Sequence, residues 1–121
     1  MSMLISIVEI PTEDLSRAMI FYGKILDVGF EVVEMESIKM ALFPGSGEIS
    51  VQLLEGDGYK PSTNGAIVYL NGGDDLQAIA GRIESNGGRV VVPKTEIGPD
   101  MGFYAMFIDT EGNRLGLHSL H

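Results

Sequence analysis

Two apolar, β-branched runs, each followed by a stripe at helical spacing, organise this chain. Residues 3–10 form the first run and read as a strand. Pro11-Thr12 ends it, and Thr12 is placed to cap a helix over 13–26, with Glu13 and Asp14 favourable in the first turn. Leu15, Ala18, Met19, Tyr22 and Leu26 recur at i, i+3, i+4, i+7 and i+11, which makes one face of that helix apolar. After Asp27-Val28-Gly29, the runs at 30–35, 38–43 and 48–54 read as strands. Pro44-Gly45-Ser46-Gly47 turns the chain between the last two.

Residues 55–64, with Gly56, Gly58, Pro61 and Ser62, read as a linker, and then the order repeats. A strand over 66–70 breaks at Gly72-Gly73. A helix over 74–85 follows, with the stripe Leu76, Ile79, Ala80 and Ile83, and stops at Asn86-Gly87-Gly88. Strands over 89–92, 103–108 and 114–119 complete the second half. Each half, about 1–57 and 64–121, is therefore βαβββ, and Asp14-Leu15 aligns with Asp75-Leu76. A repeat of this size predicts pseudo-twofold packing of the halves around a shared site. Two helices cannot supply the crossovers of a doubly wound sheet with eight strands, so the class is α+β in one domain.

Composition narrows the function more by exclusion than by assignment. With 45% hydrophobic and 21% charged residues, the chain reads as an ordinary globular protein with a core of its own. A net charge of −9, scattered along the chain, repels phosphates, so nucleic acid and anionic membrane are not expected partners. It suits solubility first and a cationic ligand second. No Cys is present, which removes disulfides and thiolate zinc sites and fits a cytoplasmic location. The start, Met1-Ser2-Met3-Leu4, lacks the basic region of a secretory signal, and no run approaches the roughly 20 apolar residues of a membrane span. Gly72-Gly73-Asp74 lacks phosphate-loop spacing, and no G-x-S-x-G elbow is present.

Ile10-Pro11-Thr12-Glu13-Asp14-Leu15-Ser16-Arg17-Ala18 with Phe21-Tyr22 resembles the first strand and helix of the glyoxalase / bleomycin-resistance / extradiol-dioxygenase superfamily, the vicinal oxygen chelate fold. Asp109-Thr110-Glu111-Gly112-Asn113-Arg114-Leu115 is similar to that family's Asp-Pro-Asp-Gly-Asn turn and final strand, and Gly87-Gly88 with Pro93 also matches. The resemblance implies two βαβββ modules forming an open, cleft-containing mixed β-barrel with the ligand between them. It also implies a homodimer, and a lid at Gly98-Pro99-Asp100-Met101-Gly102. Metal-dependent relatives hold one divalent cation through His, Gln or Glu on the first and last strands of each half.

The resemblance puts those ligand positions at Ile7, Val68, Gln52 and Gly116, of which only Gln52 has a side-chain donor. The usual metal site is therefore expected to be absent, and no cofactor is assigned. Strand alternation instead suggests a cleft face carrying Glu9, Ser50, Gln52, Val68, Leu70, Arg114 and His118. Glu9 and His118 are the candidate catalytic pair; Gln52, Ser50, Val68 and Arg114 are candidate ligand contacts. Glu9 has three readings: a structural partner of Arg114 or His118, a general base, or a metal ligand with Gln52 and His118. The function expected is metal-free binding of a small molecule in the cleft. The alternative is a metal-dependent lyase of the lactoylglutathione type, or a related isomerase or dioxygenase, with its metal shifted to Glu9, Gln52 and His118.

Overall fold

The computed structural model describes residues 4–45 and 49–121, so the expected turn through Ser46 and Gly47 and the strand start at Glu48 lie outside the described residues, as does the start of the opening strand at Met3. The first half runs β1 (Ile7–Pro11), α1 (Leu15–Leu26), β2 (Glu31–Met35), β3 (Ile38–Leu42) and β4 (Ser50–Gly56). The second runs β5 (Tyr69–Asn71), α2 (Gln77–Ala80), a 3-10 turn (Glu84–Asn86), β6 (Arg89–Gly98), β7 (Gly102–Ile108) and β8 (Arg114–Ser119). Each half is a four-stranded mixed sheet, ordered β1-β4-β3-β2 and β5-β8-β7-β6. The edge pairs β1–β4 and β5–β8 are parallel and the others antiparallel. The two sheets stay separate, so the barrel is open. No helix among the described residues is long and apolar enough to cross a membrane.

One face of each sheet packs under the helices. Ile10 of β1, Leu53 of β4 and Ala105, Phe107, Leu115 and Leu117 of the second sheet meet Phe21, Tyr22 and Ile25 of α1 in a single core. Phe21 lies 4.9 Å from Tyr22 and 6.1 Å from Phe107 by ring centroid, so α1 belongs to both halves. Each such buried ring stabilises the fold by about 1.5–3 kcal/mol before entropy is counted.

Both helices depart from their expected bounds for local reasons. Asp14, not Thr12, caps α1 by accepting from the Arg17 N–H, while the Thr12 hydroxyl donates to the Leu54 carbonyl. The second helix keeps only four α-helical residues, although Leu76, Ile79, Ala80 and Ile83 are all buried as the stripe requires. Gly81 disfavours helix at its centre. Beyond it, Ser85 and Asn86 donate to the Arg82 carbonyl and compete with the helical pattern. Strand β6 runs past its expected end to Gly98, with register shifts on both sides of Pro93. The segment expected to be a lid is the turn of the β6–β7 hairpin, with Asp100 and Gly102 at positive φ.

The turn from Asp109 to Asn113 fastens the halves together. Asp109 is buried, and its Oδ1 accepts the N–H groups of Glu111, Gly112 and Asn113, while Oδ2 accepts the Tyr22 hydroxyl at 2.7 Å. Burial and then the Asp109 carboxylate push the Tyr22 phenol well above its ordinary pKa, so it remains a donor. Asn113 donates to the Pro11 carbonyl and accepts from the Ser62 N–H. Glu111 Oε1 accepts the Glu13 and Asp14 N–H groups at 2.9 and 2.8 Å, and Arg17 closes on the same carboxylate. Glu55 takes the next N–H, that of Leu15. The start of α1 is thus capped by carboxylates from outside the helix.

Burial pushes the Glu111 carboxyl up, but its bonds from Arg17, the Asp14 N–H and Thr110 outweigh that and hold it below the ordinary range. A lowered folded pKa gives stability that is present above the unfolded value and lost as pH falls through the folded one. Glu111→Gln is expected to cost about 1–3 kcal/mol at neutral pH. Denaturant unfolding from pH 7 down to pH 3 should show part of the acid loss of the wild type missing in this variant. Parallel pH profiles for the two proteins would rule out Glu111 as a source of that loss.

Candidate functional site

The face of the second sheet turned away from the core carries a cavity of about 920 Å³. Tyr69 and Asn71 of β5, Ile97 of β6, Tyr104 of β7, and His118 and Leu120 line it, with Asp74 at the start of the α2 segment. Register explains the set: Tyr69 pairs with Gly116, while Asn71 and Tyr104 both pair with His118, so these side chains share one face. Gly116 lies beneath the Tyr69 ring. A Cβ there would come within 2.4 Å of the Tyr69 ring, so the ring lies where a side chain at 116 would stand. Tyr69 and Tyr104 meet edge to face, with centroids 6.5 Å apart. His118 donates its Nε2–H to the Met101 carbonyl at 2.9 Å, which anchors the hairpin turn and, in the neutral ring, leaves Nδ1 as an acceptor.

The residues singled out from the sequence fall in three places rather than one. His118 lines the large cavity. Glu9, Val68 and Arg114 line a second cavity of about 200 Å³ at the seam between the halves, with Lys60, Ser62 and Asn64 of the linker. Ser50 and Gln52 share the free face of the first sheet, where the Ser50 hydroxyl donates to Gln52 Oε1 at 3.1 Å and Gln52 is buried. Glu9 pairs with Gln52 across β1–β4, as alternation predicts, and is exposed on the face opposite Ile10. Convergence of Glu9, Gln52 and His118 in one cavity of the chain is therefore not what the fold produces. The expected ion pair of Glu9 with Arg114 or His118 is also absent; the ion pairs among the described residues are Arg17–Glu111 and Lys94–Asp75.

Counting from the helix misassigned β5 by one residue. The Thr12 N–H bonds the Leu54 carbonyl and the Gly72 N–H bonds the His118 carbonyl, so Thr12 and Gly72 are equivalent. Two residues separate Thr12 from Leu15, but three separate Gly72 from Leu76. The extra residue is Gly73, at φ 74. Val68 and Leu70 consequently pack against the core, with Leu70 at the cavity's edge and Val68 at the seam, and Tyr69 and Asn71 take the cleft. A period-2 reading anchored at Gly72 instead of Asp75 finds them.

The family's divalent-cation set does not fit these residues. Tyr69, not Val68, faces Gly116, and its ring fills the space a ligand side chain at 116 would need. Ile7 has no donor, Gln52 is taken up with Ser50, and the described residues include no group of three His, Asp or Glu able to hold a metal.

Residues 4–117 match the sequence profile of the Glyoxalase/Bleomycin resistance protein/Dioxygenase superfamily. The chain belongs to this superfamily. It is 34% identical over 115 residues to a glyoxylase-like domain-containing protein of Didymella fabae, covering 90% of this chain and 88% of that one. Among solved structures, the superfamily fold is shared with TnmS3, an antibiotic binding protein from Streptomyces sp. CB03234, at TM-score 0.68 and 22% identity, over 100% of this chain and 99% of that one. Glyoxalase I from Zea mays matches at TM-score 0.72 and 18% identity over 95% of this chain, which spans 44% of the maize chain.

The packing of Tyr69 on Gly116 yields a direct test. Gly116→Ala is expected to lose about 1–3 kcal/mol of stability through overpacking, and Tyr69→Ala should remove most of that cost. Chemical denaturation of the two single variants and the double variant measures the coupling. Additive losses would mean that the ring and the glycine do not depend on each other.

Proposed function

We propose that this superfamily member binds a small, flat, cationic or neutral organic molecule in the cavity of the second sheet, without a resident metal. The observation that carries the reading is the Tyr69–Tyr104 pair on the floor of a cavity of about 920 Å³. That volume suits a drug-sized ligand, and two edge-linked rings supply apolar area with fixed orientation. Asp74 at the rim and the net charge of −9 favour a cation over an anion. His118 Nδ1 is placed to accept a bond that fixes the ligand's direction. The antibiotic binding described for TnmS3 lends support by analogy of fold alone.

The reading extends to a homodimer. The free face of the first sheet exposes Ile7 and Met35, and the cavity mouth exposes Ile97 and Leu120, so a twofold partner could cover both. Sedimentation equilibrium is expected to give twice 13.1 kDa at micromolar concentration, and a monomer would remove this part of the proposal.

Titration with ethidium, a small, flat cationic aromatic probe, tests the cavity by calorimetry. Saturable binding is expected, and Tyr104→Ala should weaken it about threefold to tenfold, the size of one lost aromatic contact. Binding that ignores Tyr104→Ala and Asp74→Asn alike would place the ligand elsewhere. Elemental analysis of protein purified without chelator checks the metal, and one tightly held transition metal per chain would contradict the proposal.

A further inference from the structure

The seam cavity has a chemistry different from that of the large one. Among the described residues, the Arg114 Nε–H is the buried side-chain polar group without a hydrogen-bond partner. Leaving such a donor unmet costs about 1–3 kcal/mol, and more when the group is charged. Arg114 and Lys60 both line this cavity, and neither takes part in an ion pair among the described residues. Ser62 Oγ already accepts the Asn64 N–H at 2.9 Å, which leaves its hydroxyl hydrogen free to donate. Glu9 shares the cavity beyond ion-pair reach of Arg114, so two cations face one carboxylate. The lining is therefore net positive in a chain of net charge −9.

We propose that the seam cavity binds a small oxyanion, a carboxylate or phosphate group, on the guanidinium of Arg114 with Lys60 as second cation and Ser62 as donor. A planar guanidinium presents its Nε–H and a terminal N–H in a fork that matches two oxygens of such a group. At about 200 Å³ the cavity is too small for the ligand of the second sheet, and the two sites stand independently. Glu9 repels the anion and so limits its charge, which selects a monoanion over a dianion.

The test follows the Arg114 Nε–H resonance in nitrogen-15-labelled protein while inorganic phosphate or acetate replaces chloride at constant ionic strength. A saturable shift with either anion is the expected result, and the stronger of the two identifies the group bound. Glu9→Gln should tighten binding about fivefold and Lys60→Gln weaken it about fivefold, the scale of one partly screened charge. Tyr104→Ala, in the other cavity, should leave it unchanged. No shift beyond the chloride control with both anions, or a shift indifferent to both charge variants, overturns the site, whatever the large cavity does.

Discussion

The carboxylate of Glu111, reaching across from the second half, holds the start of the first helix. Helices begin with N–H groups that no earlier carbonyl can reach, and a buried helix start must find acceptors elsewhere. Here Glu111 meets the Glu13 and Asp14 N–H groups, and Glu55 meets that of Leu15. Arg17 completes the charge balance at 2.8 Å, but its side chain is half exposed, so the ion pair contributes less than the caps do. Asp109 and Asn113 brace the same turn against Tyr22 and the Pro11 carbonyl. Once α1 is fixed, Phe21 and Tyr22 are fixed, and with them the angle at which the two sheets open.

That arrangement leaves each sheet with one face under helices and one face free. On the second sheet the free face becomes a cavity because Gly116 has no side chain and Tyr69 lies down over it. On the first sheet the equivalent position is Gln52, buried and bonded to Ser50, so a side chain occupies the place that Gly116 leaves to the Tyr69 ring. Repetition of the βαβββ unit thus supplies the frame, while one glycine and one tyrosine make the halves unlike.

Much of this frame was legible in the sequence because alternation and helical spacing are local. The placement of Glu9 opposite Ile10 followed from period 2 alone. The motif from Asp109 to Asn113 was recognisable, but its work is to join the halves, which no spacing reveals. The site was less legible. Val68 was chosen by counting across Gly72-Gly73, and a positive φ at Gly73 lets the chain absorb an extra residue without any mark in the hydrophobic pattern. Tyr69 and Asn71 were missed for that reason. Pairing of Glu9 with Arg114 was a matter of distance between elements far apart in sequence, where opposite charge is a poor guide.

The Glu111 clasp also bears on the order in which the chain can acquire structure. Its bonds to Glu13, Asp14 and Arg17 span 94 to 98 residues. Until the second half exists, the Glu13 and Asp14 N–H groups lack Glu111 and Phe21 lacks Phe107, although β1, β4, the Asp14 and Glu55 caps and the stripe of α1 are already present. Contacts of such sequence separation close late and slow the search for the native state. On a ribosome, the first half of this protein must therefore wait, partly formed, for a turn that is translated long after it.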